Sequence, residues 1–232
     1  MKKKVVVLSG AGISAESGLS TFRDIGGLWE GHDIMEVASP EGWKRNKWLV
    51  LEFYNKRRRN LLEAEPNRAH LALVDLEKKY QVCIITQNVD DLHERAGSNR
   101  VIHLHGELLK VRSTADPHLV YDWNSDLNLG DTCEKGSQLR PHVVWFGEEV
   151  PMMELAGTET RTADILIIVG TSLQVYPAAG LISIAAPNIP VFYIDPAPKS
   201  SSEFVSRRQL VVLNENASTG VVKVVEQLFH SE

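Results

Sequence analysis

Cys83 and Cys133 are the only thiols in this sequence. A disulfide framework needs more than that, so packing and hydrogen bonds must hold the fold, and a reducing, cytoplasmic compartment is expected. No apolar stretch nears the roughly 18–20 residues that cross a bilayer. The opening MKKKVVVLSGAG begins with cations as a secretory leader does. Its short apolar part runs straight into a glycine turn, so a first β-strand is the expectation. Cations are in the minority: 25 Lys and Arg face 30 Asp and Glu, for a net charge of −5. That balance argues against general nucleic-acid or membrane-surface binding, and neither partner is expected.

What is present is an alternation. Short β-branched runs at 5–8, 82–86, 101–104, 165–169, 191–194 and 210–213 read as buried strands. Helical patterns lie between or after them at 47–63, 69–79, 91–96, 178–185 and 219–229. Strand and helix in turn predict an α/β fold, a Rossmann-like doubly wound parallel sheet. Two stretches break the rhythm. Residues 26–63 show no strand and read as a helical module; 108–143 has poor periodicity and reads as a smaller inserted sub-domain. The expected sheet domain is therefore assembled from 1–25, 64–107 and 144–232.

The first strand leads into SGAGISAE, where Gly10, Gly12 and Ala15 match G-x-G-x-x-A. Such a turn lets backbone N–H groups approach a pyrophosphate at a helix N-terminus, and directly after a strand it sits in the required context. An ordinary dehydrogenase would follow it with a second strand ending in an acidic residue. Here STFRD and GGLW follow instead, a polar and aromatic loop suited to folding over a dinucleotide with Arg23 near its phosphates. A dinucleotide without hydride chemistry fits both facts.

The next strands end in TQNVDDLH and HLHGE. Ligands of open parallel sheets sit outside the carboxyl ends of the strands, which puts Gln87, Asn88, Asp90 and His105 at the substrate. Any one of Asn88 and Asp90 can be a plain helix cap, but capping does not cover the whole cluster. His105, at the strand mouth before a glycine, is the candidate acid–base group, because imidazole titrates near neutrality. His93 and His103 read as structural.

GAGIS, TFRD with GGLW, TQNVDDLHERAG, HLHGE, RPHVVWFGE and GTSLQVYP, in this order and spacing, resemble the sirtuin family of NAD-dependent protein deacylases. The match runs through nearly the whole chain and looks most like the bacterial desuccinylase/deacetylase, class III, type. The resemblance implies NAD as co-substrate and acylated-lysine proteins or peptides as partners. By motif it implies Gly10, Ala11, Gly12 and Ile13 at the pyrophosphate, and Thr21, Phe22, Arg23 and Trp29 in the loop over the ribose and phosphates. Gln87 and Asn88 orient the nicotinamide ribose, Asp90 accepts from the carboxamide, and Gly170, Thr171 and Ser172 add phosphate and ribose contacts. His105 acts as general base on a ribose hydroxyl, with Asn88 beside it; lysine and O-acyl-ADP-ribose are the products. Residues 143–148 and 174–177 take substrate peptide as an added strand, with Val144, Phe146, Gly147, Glu148, Val175 and Tyr176 in contact.

The sequence also departs from that family. Most members hold the small domain with zinc on two C-x-x-C pairs; here Ser113 stands at a first cysteine position and Cys133 is alone, so no structural zinc is expected. YIDP leaves either Ile194 or Asp195 at the adenosine ribose, and Ala217 is placed against the adenine. Mono-ADP-ribosyl transfer to protein and a non-catalytic NAD sensor remain as alternative functions.

EFYNKRRRNLLE holds four cations in a row. On a helix Tyr54 and Arg57 share a face, while Lys56 and Arg59 diverge from it and Arg58 is undecided. Tyr-x-x-Arg is the pair by which the desuccinylating sirtuins read the distal carboxylate of an acyl chain, so Tyr54 and Arg57 are expected to admit succinyl or malonyl groups.

Overall fold

The computed structural model describes residues 2–21, the backbone of 28–29, and residues 31–205 and 207–230. In chain order these are β1 (Lys4–Ser9), β2 (Leu28–Trp29), β3 (His32–Asp33), α1 (Ile34–Val37), α2 (Pro40–Arg45), α3 (Lys47–Glu63) and α4 (Arg68–Leu76). Then come β4 (Gln81–Thr86), α5 (Leu92–Ala96), β5 (Val101–His103), β6 (Gly106–Ser113), β7 (Val120–Asp122) and β8 (Leu139–Val143). The last third holds α6 (Met153–Arg161), β9 (Ile165–Val169), α7 (Leu181–Ile184), β10 (Val191–Ile194), β11 (Leu210–Leu213) and α8 (Ala217–His230).

Six strands form one parallel sheet in the order β11-β10-β9-β1-β4-β5. Numbered among themselves they run 3-2-1-4-5-6, the dinucleotide-binding order, whose direction reverses between β1 and β9. The two-residue period of a strand explains the covering layers. Val5 and Val7 face α4 and α8 with Leu73, Ile167 and Val224, while Val6 and Leu8 face α6 and α7 with Ile85, Ile168 and Leu181. All six expected strands are present; burial on both faces is why β1, β4, β9 and β10 read as unbroken apolar runs, whereas the edge strand β11 leaves Val211 and Val212 exposed.

Three expectations need correction. A tiny antiparallel pair, β2 with β3, lies inside the stretch read as strandless; it turns at Gly31, whose φ is +82°. Helix α6 went unseen because it buries Gly157, Glu159 and Thr160 beside a single Ala, a pattern that does not read as an apolar face. The glycine turn is not followed by a long helix but by two 3₁₀ turns, Ala11–Ile13 and Ala15–Ser17. Asn67, whose oxygen caps α4, donates its amide to Ile13 O at 2.8 Å and Ser17 Oγ at 3.0 Å, which fixes that tight path.

The insertion is a three-stranded antiparallel sheet, β7-β6-β8. It shares one apolar core with α1–α3: Val37, Val50, Leu51, Phe53, Tyr54 and Leu61 pack with Leu108, Val111, Leu127, Leu139 and Trp145. Polar links reinforce the contact. Asn55 donates to Leu127 O at 3.0 Å and accepts from Leu127 N at 2.9 Å. Arg58 donates Nε to Leu108 O at 3.2 Å and Nη1 to Asn55 Oδ1 at 2.8 Å.

Candidate functional site

The turn after β1 and the turn after β9 meet backbone to backbone at the switch point. Gly10 N–H donates to Val169 O at 3.0 Å and Gly12 N–H to Gly170 O at 2.8 Å. A Cβ on Gly12 would lie 2.6 Å from Gly170 Cα, and Gly170 has φ +62°, so neither position tolerates a side chain. Both motif amides are thus spent on the β9 end; what Gly10 and Gly12 supply is the shape of the rim. Above it opens a cavity of about 950 Å³.

Gly10, Ala11, Gly12, Thr21, Gly170, Thr171 and Ser172 line this cavity. Ile13 does not: it is fully buried against Val5, Leu73 and Val221. Phe22 and Arg23 lie outside the described residues, as does the side chain of Trp29.

The ends of β4 and β5 carry the polar cluster. Gln87 Nε2 donates to Thr171 Oγ1 at 3.0 Å, bridging two strand ends. Asn88 Nδ2 donates to Ser14 Oγ at 3.1 Å, and Ser14 passes its own proton to Asp90 Oδ2 at 3.0 Å. The other Asp90 oxygen accepts Leu92 N–H at 3.2 Å, so the carboxylate caps α5 and still belongs to the cluster. Burial pushes its pKa up, and the Ser14 bond restrains the rise. Ser14, which the motif reading passed over, is the link; a hydroxyl inside GAGIS, facing the strand-end residues, was the available signal.

His105 Nδ1 lies 2.9 Å from Gln87 O. A carbonyl only accepts, so Nδ1 carries the hydrogen and Nε2 is left as the basic nitrogen of a cavity-lining imidazole. Burial lowers its pKa against the weaker opposing effect of that carbonyl. The other histidines are committed elsewhere. His103 bonds Asn88 O at 3.2 Å and Glu94 at 2.7 Å; His93 bonds Ser9 Oγ at 3.0 Å.

Tyr54 and Arg57 of α3 also line the cavity. Tyr54 is fully buried, with its pKa pushed up to about 12 by desolvation against the pull of Arg57 and of Trp145. The run of four cations resolves into different fates. Arg57 lines the cavity with its guanidinium 5.6 Å from the Phe53 ring, and Lys56 is exposed. Arg59 pairs outside with Glu52 at 3.0 Å and Asp126 at 2.6 Å. Arg58 is 1% exposed, its pKa lowered by burial to about 10, and it ties the helix to the small sheet rather than to any site.

Val144, Trp145, Phe146, Gly147 and Glu148 form one wall, with Val175 and Tyr176 facing the same space. Val144 N–H donates to His105 O at 2.9 Å, tying the wall to the imidazole strand. Glu148 is gripped by Arg140, at 2.6 and 3.1 Å, and by Arg112 at 3.2 Å, and it accepts Trp145 N–H at 2.8 Å. Those partners outweigh burial and hold its pKa below the usual range. Asp195 and Ala217 line the cavity too, whereas Ile194 faces the α8 core. Glu16, also lining it, takes Ser218 N–H at 2.9 Å at the start of α8.

Sheet order, glycine rim and strand-end polar cluster together define a Rossmann-like nucleotide-binding protein. The Sir2 family model matches residues 10–177. An "NAD-dependent protein deacylase" of Helicobacter pylori strain J99 is 62% identical over 93% of this chain and 91% of its own. One of Bacteroides thetaiotaomicron is 50% identical over 97% and 98%. Among solved structures, a Sir2 homologue in complex with ADP-ribose superposes with TM-score 0.88 at 37% identity, covering 100% of this chain and 95% of that one. Sir2 bound to acetylated peptide gives 0.78 at 28%, covering 99% and 95%. The chain belongs to the Sir2 family, a family of NAD-dependent enzymes.

Proposed function

We propose that this protein removes acyl groups from protein lysines at the expense of NAD. The observation that carries the reading is His105: its tautomer is set by Gln87 O, and its basic nitrogen belongs to the cavity that also holds Asn88, Asp90 and the glycine rim. When bound, NAD supplies an electrophilic ribose carbon and the nicotinamide leaving group. Asn88 and Gln87 orient the ribose, Asp90 with Ser14 receives the carboxamide, and Asp195 and Ala217 border the adenosine. Gly170, Thr171 and Ser172 complete the phosphate-side wall. His105 takes a ribose hydroxyl proton on Nε2. Because burial lowers its pKa, the acidic limb of kcat/KM is expected below the ordinary histidine value of 6.5.

The acyl chain points to Tyr54 and Arg57. A neutral buried phenol can donate one hydrogen bond and a guanidinium two, so an acidic chain such as succinyl or malonyl is favoured over acetyl. The peptide lies along Val144–Glu148 and Val175–Tyr176, with Phe146 and Tyr176 exposed at the mouth. The small sheet does without zinc in this reading. The donor set does not fit a tetrahedral site: Ser113 is a hydroxyl, accepting from Cys133 Sγ at 3.3 Å, and no group of three metal-binding side chains occurs among the described residues. About one tightly bound zinc per purified chain would overturn that.

Nicotinamide release, measured with acetyl-, succinyl-, malonyl- and glutaryl-lysine peptides, tests the function. Release that requires the acyl group supports deacylation. Release without it indicates ADP-ribosyl transfer, and none at all indicates a sensor.

A further inference from the structure

The wall facing Tyr54 holds a group that the Tyr-x-x-Arg reading does not use. Trp145 is 2% exposed, and its indole Nε1 lies 3.0 Å from the Tyr54 hydroxyl oxygen. An indole N–H only donates, so the phenolic oxygen is the acceptor in this contact. With that lone pair occupied, the phenolic hydrogen is turned away from Trp145, on a side chain that borders the cavity. The indole is itself immobilised. Arg140 stacks on it with its guanidinium carbon 3.2 Å from the ring centroid, Trp43 packs at 5.7 Å, and the main-chain N–H of Trp145 donates to Glu148 at 2.8 Å.

We propose that Trp145 is a specificity-determining positioning residue. Its indole N–H saturates the acceptor side of Tyr54, so the phenol presents a hydrogen-bond donor, and not an acceptor, to the distal end of the acyl chain. This rests on the reading of Tyr54 and Arg57 as the acyl-chain pair. A carboxylate offers only acceptors, so a fixed donor favours it. A phenol free to rotate spends part of its time presenting lone pairs to the carboxylate, which repels it. Trp145 therefore acts on selectivity through Tyr54, without touching the acyl group. The bond also polarises the phenol: a hydroxyl that accepts from an indole is a stronger donor in turn.

Trp145→Phe keeps an aromatic ring for Arg140 and removes the N–H. The ratio of kcat/KM for succinyl- over acetyl-lysine peptide is expected to fall about tenfold, carried by the KM of the succinyl peptide, with the KM for NAD unchanged. In a Tyr54→Phe background the same substitution should leave the ratio where Tyr54→Phe alone put it. An unchanged ratio in Trp145→Phe, or a fall of equal size in the Tyr54→Phe background, overturns the proposal. If Tyr54→Phe alone leaves the ratio unaltered, the acyl-pair reading itself fails and takes the proposal with it. Should Trp145→Phe not fold, indole N–H resonances of the ¹⁵N-tryptophan-labelled wild type decide the matter. The signal that moves on Tyr54→Phe should shift further with succinyl-lysine than with acetyl-lysine peptide; equal shifts with the two peptides reject the coupling.

Discussion

The two ends of the cavity are built from different materials. At the strand ends, short polar side chains are positioned by main-chain geometry: Gln87 O orients His105, Leu92 N–H orients Asp90, and Thr86 Oγ1 takes Asn88 N–H at 3.0 Å. At the acyl end, position comes from stacking and ion pairs among large side chains, with Arg140 clamped between Glu148 and Trp145. The first arrangement follows from the sheet itself and is suited to chemistry common to every substrate. The second lies on the joint between α3 and the wall after β8, where it can vary without disturbing the sheet. On the proposed reading, catalysis and selectivity are held by separable devices.

Four experiments break or sharpen that separation. Replacing His105 with Ala should cost about 10²–10⁴-fold in turnover with every acyl chain while calorimetry still shows NAD binding. Turnover within a few-fold of the parent would remove His105 from the chemistry.

The layer beneath the parallel sheet, where α4 meets α5, should be acid-sensitive. His70 is fully buried beside His93, with ring centroids 4.9 Å apart, and desolvation lowers its pKa from 6.5 to about 4. As pH falls below about 6.5 the unfolded chain takes up a proton that the folded chain refuses. Stability is therefore lost between about pH 6.5 and 4, by about 3 kcal/mol from this group. His70→Gln keeps a side chain able to reach the Asn67 amide but does not titrate. Urea midpoints at pH 7 and 4.5 should lie closer together in the variant, and an identical acid slope would refute the assignment.

At the other end, Arg57→Met should lower desuccinylation by about 10–100-fold, the worth of one charge-assisted hydrogen bond at roughly 1.5–3 kcal/mol. Deacetylation should survive. Equal loss of both activities returns Arg57 to a structural role. Its neighbour supplies the contrast: Arg58→Met strands Leu108 O and should cost about 1–3 kcal/mol of stability with no change in acyl preference, measured by denaturant midpoint and by the succinyl-to-acetyl ratio. A shift in preference would show that the two arginines act together.

The sheet half was legible residue by residue. Continuous β-branched runs announce parallel strands buried on both faces, and polar residues at their carboxyl ends announce a site, so His105 and Asp90 followed from position, and Gly170 from the family resemblance. The acyl half was legible only in part. A 3.6-residue period places Tyr54 and Arg57 on one face, but it does not say which third element covers the next residue. Arg58 is buried because β6 lies over it, a fact written some 50 residues downstream. Trp145 sits in HVVWF, which reads as a plain buried strand; its donor matters only because Tyr54 is opposite. Ser14 was similarly mute until Asn88 and Asp90 stood on either side of it.

Asn55 holds both sides of the Leu127 peptide while its neighbours Tyr54 and Arg57 face the cavity. In the proposed reading one helix is both the keystone of the inserted sheet and the carrier of the acyl-chain pair. The inserted sheet shares the apolar core of α3 and is tied to it through Asn55 and Arg58. On the proposed reading, damage within residues 108–143 is expected to blur substrate choice before it lowers turnover.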